Sequence, residues 1–241
     1  PLYVRALAIA EKAEGAEHLS TGARLSNLAN LYLTMGQYAK AEPLSVRALA
    51  IAEKAWGAEH PSTGIRLDGV AQLYQAMGQY ARAEPLYVRA LAIAEKAQGA
   101  EHPETGTRLN NLAGLYREMG QYAKAEPLYV RALAIAEKAQ GAEHPGTGFR
   151  LTNLALLYES MGQYAKAEPL YVRALAIAQM AESPRLRFDV QTALARFHRA
   201  QGRLPVAIFF GKQAVNTFQQ IRSQAKGIEE SSQRSLLERN Q

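Results

Sequence analysis

The chain has 241 residues, 48% of them hydrophobic, no cysteine and a formal net charge of +6. Without cysteine it holds no disulfide, no thiolate metal site and no cysteine nucleophile, which fits a cytoplasmic location. No apolar run approaches the ~18 residues that cross a bilayer, so a membrane partner is not expected.

The block PLYVRALAIA begins at Pro1, Pro85, Pro127 and Pro169, followed by EKA in all but the last, and a near copy, PLSVRALAIAEKA, begins at Pro43. The connecting segments carry EH and then LxxLAxLYxxMGQYAxAE, with Val70 for one Leu. A period of 42 residues marks a solenoid, whose units bury their apolar faces only by stacking on neighbours. Such an array offers an extended surface rather than one active site, so recognition is the expected function and no enzyme is expected. His18, His60, His102 and His144 recur at the same period and cannot converge on one metal, so they read as connectors. No phosphate loop or nucleophile elbow is present. No cofactor and no metal are expected.

Within one unit, Pro61 suits the first turn of a helix. Leu67, Val70, Ala71, Leu73, Tyr74 and Met77 then follow helical spacing, and Gly78 closes the helix in the left-handed conformation. A second helix carries Ala83, Leu86, Tyr87, Ala90, Leu91 and Ile93, with Pro85 placed near its first turn, and Gly99 stops it. Alanines at 29, 71, 113 and 155, and at 41, 83, 125 and 167, let helix axes approach closely. The tyrosines at 32, 74, 116 and 158, and at 38, 80, 122 and 164, are expected to fill the core. Trp56 is expected to cover its helix end.

Residues 1–182 read as four such units, the first begun at its second helix. Gly202, Ala207 and Ala214 repeat the spacing of Gly162, Ala167 and Ala174, so residues 183–223 read as a degenerate fifth pair. Lys226-Gly227 is expected to end it, with residues 224–241 starting a further helix. Leu2, Leu7 and Ile9 at one end, and Leu236 and Leu237 at the other, suggest end-to-end self-association. Residues 1–168 hold 17 basic and 17 acidic side chains and residues 169–241 hold 11 and 5, which places the whole excess at the C-terminal end. A solvated arginine-rich face accounts for it, and nucleic acid is not an expected partner.

LxxLAxLYxxMGQYAKAEPLYxRALAI resembles the tetratricopeptide repeat, and the 42-residue unit with GxEHPxT…LNNLA is similar to the subtype in kinesin light chains and many bacterial proteins. The resemblance implies an all-α fold, a right-handed α-solenoid of antiparallel helix pairs whose first helices line a concave groove. AIFFGKQAVNTFQQIRS…KGIEESSQRSLL resembles the segment joining such an array to a CHAT domain, a caspase-like peptidase. That implies an alternative role as the sensor region of a peptidase whose catalytic domain is outside this chain.

Comparing the units position by position gives the candidate site. Most positions are identical, but those at 23/65/107/149, 26/68/110/152, 30/72/114/156, 33/75/117/159 and 34/76/118/160 vary, and their offsets form one stripe on the first helix. A stripe that tolerates Ala23 and Phe149 alike is expected to face solvent rather than a packed interior. Ile65, Phe149 and Leu156 would supply apolar contacts, and Asp68, Arg117 and Glu159 charge. Asn30, Gln72 and Asn110 complete the stripe. Asn27, Asn111 and Asn153 recur beside it, with Gly69 in the second unit, and can pair with both N–H and C=O of a peptide. The resemblance to kinesin-light-chain arrays implies that these three asparagines contact a bound peptide or protein segment. Only Arg117 is basic on the stripe, so a clamp for chaperone tails is not expected.

Overall fold

The computed structural model describes the backbone of residues 2–238 and the side chains of residues 2–227. Every element among the described residues is an α-helix. They are α1 Leu2–Glu14, α2 Leu19–Thr34, α3 Tyr38–Trp56, α4 Pro61–Ala76, α5 Tyr80–Gln98, α6 Pro103–Glu118, α7 Tyr122–Gln140, α8 Pro145–Ser160, α9 Tyr164–Met180, α10 Pro184–Ala200 and α11 Leu204–Glu238. None is long and apolar enough to cross a membrane. The even-numbered helices are the first helices of the units, and the odd-numbered ones the second.

The EHxxT wording explains the starts of α2, α4, α6 and α8. His60 sits at the N-cap of α4, its Nδ1 accepting from the Ser62 N–H at 3.1 Å, and Pro61 takes the first helical position. The Thr63 hydroxyl, fully buried, donates back to the Gly57 carbonyl at 2.8 Å. His18, His102 and His144 cap α2, α6 and α8 in the same way. Gly78 has φ +70°, and the Gln79 N–H bonds the Tyr74 carbonyl at 2.8 Å, closing the helix as its sequence implies. Trp56 stacks on His60 at 5.4 Å and covers the helix end.

The helices gather into two bodies, one up to Ile135 and one from Ala136 onward. In the first, α2 packs on α3, α3 on α4, α4 on α5, α5 on α6, and α2 also meets α4. α2, α4 and α6 each centre one leucine in a cluster drawn from two second helices: Leu25 with Leu7 and with Ala48 and Ile51, Leu67 with Leu49 and with Ala90 and Ile93, and Leu109 with Leu91 and with Ala132 and Ile135. The eight alanines named from the sequence are all buried. An arginine ladder ties successive second helices: Arg89 donates to Glu53 Oε1 at 2.7 Å and to the Ala58 carbonyl at 2.9 Å. Arg47 and Arg131 do the same to Glu11 and Ala16, and to Glu95 and Ala100. In the second body α8 packs on α9 and on α10, α9 on α10, and α10 on α11, with Arg173 paired to Glu137.

Three details differ from the sequence reading. Pro85 stands inside α5, past its first turn, where it leaves the carbonyl of exposed Ala81 to water. The core tyrosines are Tyr87, Tyr129 and Tyr171, at 1%, 2% and 0% exposure, whereas Tyr164 is 40% exposed. Tyr87 is buried as its place among the apolar residues of its helix implies, but of the eight tyrosines expected to fill the core only Tyr74 and Tyr116 are buried, and their hydroxyls reach Glu42 and Glu84 at the rim. Lastly, α11 runs through Gly227 without a break; a glycine inside a helix costs only about 1 kcal/mol against alanine, too little to end it. Leu2 and Ile9 are exposed as expected and Leu7 is half-buried, while the side chains of Leu236 and Leu237 lie outside the described residues.

Candidate functional site

Six of the twelve candidate site residues line one hollow of about 440 Å³ on the first-helix side of the first body: Asn27, Asn30, Ile65, Asp68, Gln72 and Asn111. Two small residues make this space. Gly69 stands where other units have asparagine, and no heavy atom lies within 4 Å of where its Cβ would be. Ser45 stands where the other units bury Tyr87, Tyr129 and Tyr171. The Tyr87 hydroxyl donates to Gln75 at 2.8 Å; in the first unit that acceptor is replaced by Leu33, so ring and hydroxyl partner are lost together.

The hollow is polar on one wall. Asp68 is 4% exposed, and its Oδ2 accepts from Arg108 Nη1 at 2.8 Å and Asn111 Nδ2 at 2.6 Å, both on α6. Arg108 also donates to Glu104 at 2.9 Å. Burial raises the Asp68 pKa most strongly, against the opposing pull of Arg108 and Asn111. The other carboxylate oxygen, Oδ1, is buried without a protein partner. Arg66, half-buried in the same hollow, has its pKa lowered by burial.

In the second body, Phe149, Asn153 and Leu156 line a hollow of about 280 Å³ between α8 and α10, with Phe188, Asp189 and Arg196 opposite. Glu159 lies beside it but is already held. It accepts from the Tyr171 hydroxyl at 2.7 Å and from two Arg196 nitrogens at 3.3 Å each. No cluster of three or more potential metal ligands occurs among the described residues.

The family model described as Tetratricopeptide repeat matches the chain over residues 1–54, 23–96, 64–138, 108–180 and 151–220. The chain belongs to the tetratricopeptide repeat family. Among solved structures it is similar to a Podosopora anserina protein crystallised as a kinesin light chain of nearly identical TPR-like repeats, at 30% identity and a TM-score of 0.66, covering 85% of this chain and 98% of that one. The fold is shared with BtubC (BKLC) from P. vanneervenii, at 24% identity and a TM-score of 0.70, covering 91% and 88%. It is shared too with a Rap protein complexed with Competence and Sporulation Factor, at 18% identity and a TM-score of 0.67, covering 92% and 69%. No curated protein matches.

Set against this tetratricopeptide frame, the stripe is only partly a free surface. Asp68 and Asn110 are buried, at 4% and 8% exposure, so the expectation of an unpacked stripe fails at the 26/68/110/152 position. Variation there is tolerated because Ser26, Asp68, Asn110 and Thr152 are all short and polar, and Asp68 spends its length on a clasp between α4 and α6. Asn111 is part of that clasp. Asn27, Asn30, Ile65 and Gln72 are exposed, Phe149, Asn153 and Leu156 half-exposed, and Arg117 half-buried near Glu118 at 3.7 Å. Arg66 and Ser45 were missed. Arg66 belongs to a series identical at 24, 66, 108 and 150, so comparing the units gives it no signal, whereas Ser45 is legible as the one break in PLYVRALAIA.

Proposed function

We propose that this chain is a non-catalytic binding module of the cytoplasm that holds a segment of another protein against its first helices. The observation that carries the reading is the location of the differences between units. In an array copied almost letter for letter, the small residues Ser45 and Gly69 fall together and open one hollow, which Ile65 lines. Drift without function would scatter such changes. The hollow combines an apolar rim with asparagine donors and acceptors, which suits a peptide backbone flanked by side chains. Asn27 and Asn30 are the first choice for backbone contacts. Asn153 with Phe149 and Leu156 offers the same combination in the second body.

The test is to refill the hollow. Peptides selected on the intact chain from a random 12-residue display library are measured again on a Ser45→Tyr, Gly69→Asn variant, which restores the residues of the other units. We expect affinity to fall at least about tenfold, the equivalent of ~1.4 kcal/mol. Selected peptides that bind the refilled variant equally well would remove the hollow from the site.

A further inference from the structure

The groove between α10 and α11 is open and apolar. Two adjoining hollows of about 390 and 410 Å³ run along it and share Ala195. Leu204, Ile208, Val215 and Phe218, each more than half exposed, border them. The same body shows what such a groove holds. The one formed by α8 and α9 receives α10, whose Phe197 ring meets Tyr171 edge-on at 5.5 Å and whose Arg196 reaches Glu159. Such a groove is built for a helix.

The register between the two grooves is fixed by Gly162 and Gly202, left-handed at φ +71° and +72°. On that register three groove residues change character. Tyr171 becomes Gly211, Glu159 becomes Arg199, and Glu168, which pairs with Arg203 at 3.2 Å, becomes Ile208. A ring is removed, a charge is inverted and another charge is replaced by an apolar side chain. The groove has therefore lost its fit for a first helix like α10 and gained one for a helix of opposite charge.

We infer that the α10–α11 groove is a docking site for an amphipathic helix of a partner protein, one that sets a carboxylate opposite Arg199 and a bulky apolar side chain in the hollow at Gly211. Charge complementarity supports an acidic occupant, since the charged side chains that line the groove, Arg196 and Arg199, are both basic. This is a different surface from the first-helix hollow and does not depend on it.

The probe is a stapled, fluorescent helix with the sequence of residues 184–200 carrying Arg196→Glu, compared with the unaltered sequence, each titrated onto the full chain by anisotropy. The acidic helix is expected to bind at least about threefold more tightly than the basic one, as for a half-exposed ion pair. Gly211→Leu should abolish binding, and Arg199→Glu should reverse the preference. Open space around Gly211 leaves the fold intact in the first variant, which its melting temperature checks. Equal binding of the two helices, binding of neither at millimolar concentration, or binding that survives Gly211→Leu overturns the inference. A stronger basic helix would assign the groove to a further repeat instead. Sedimentation of the chain alone is the remaining arm: a doubled mass lost in Gly211→Leu would give the groove to a second copy.

Discussion

Arg108 and Asp68 meet across two successive first helices, 2.8 Å apart and each less than a tenth exposed, at the wall of the larger hollow. Other junctions carry Ser26, Asn110 or Thr152 at the Asp68 position, so this clasp is a private feature of the second and third units. A buried ion pair adds little over an apolar replacement, but breaking one by removing a partner is severe. Arg108→Ala should therefore cost about 3–5 kcal/mol, while Arg108→Ala combined with Asp68→Ser should recover most of it. Urea unfolding of the two variants measures the difference; equal losses would show that the pair is not coupled.

Acid should loosen the fifth unit. His198 is buried, stacked on Phe210 at 5.7 Å, with Nδ1 unpartnered. Burial lowers its pKa, opposed by Glu168 and assisted by Arg203, the charged groups that face it from α9 and from the turn before α11. A lowered folded value means that the unfolded chain takes up the proton first. Stability is complete above the ordinary value of 6.5 and falls as pH drops from there toward the folded value. His198→Phe should flatten this slope in thermal melts between pH 7 and 5. An unchanged slope would place the acid sensitivity elsewhere.

Glu182 is the only non-glycine among the described residues with positive φ, at +45°, where the long glycine-containing connection of other units is cut short. The left-handed conformation costs a side-chain-bearing residue about 1–2 kcal/mol. Glu182→Gly should raise the melting temperature of the chain, and a lower one would show that the Glu182 side chain contributes more than the strain.

Gly148 tests close packing. A Cβ there would meet Leu186 Cδ2 at 2.4 Å and Ile177 at 3.4 Å. Gly148→Ala should destabilise by about 1–3 kcal/mol through overpacking, and Leu186→Val beside it should recover part of the loss. Calorimetry of the single and double variants decides it.

Nucleic acid should not compete with these contacts. Arg196 and Arg203 already pair with Glu159 and Glu168, which leaves fewer basic groups for phosphates than the composition suggests. At physiological salt any duplex or single strand should bind no tighter than the non-specific range of about 10⁻⁴–10⁻⁶ M. A complex tighter than this that weakens steeply with added salt would contradict the expectation.

The helices were legible because glycine, proline and the small residues punctuate each copy in the same place, and local rules fix where a helix starts and stops. What was not legible follows from a different scale. Asp68 looks like a neighbour of Ile65 on one helical face, yet its burial is set by α6, whose Arg108 arrives 40 residues later in the chain. Variation among copies therefore located the hollow but could not separate side chains that line it from those that clasp its wall. Gly227 misled for the opposite reason: a strong local stop signal carries little weight without a turn to enforce it.

The arginine ladder has an evolutionary consequence. Because Arg47, Arg89 and Arg131 each find a glutamate and a carbonyl in the unit before, every rung is chemically the same joint. Recombination between copies can then add or remove a whole unit without creating a mismatched seam. A lineage can lengthen or shorten its array in single steps and keep a folded product each time. What such steps place at risk is not the scaffold but its few unshared letters. Excising residues 43–84 would join two compatible rungs while erasing Ser45, Ile65, Asp68 and Gly69 together, so the hollow could disappear in one genetic event.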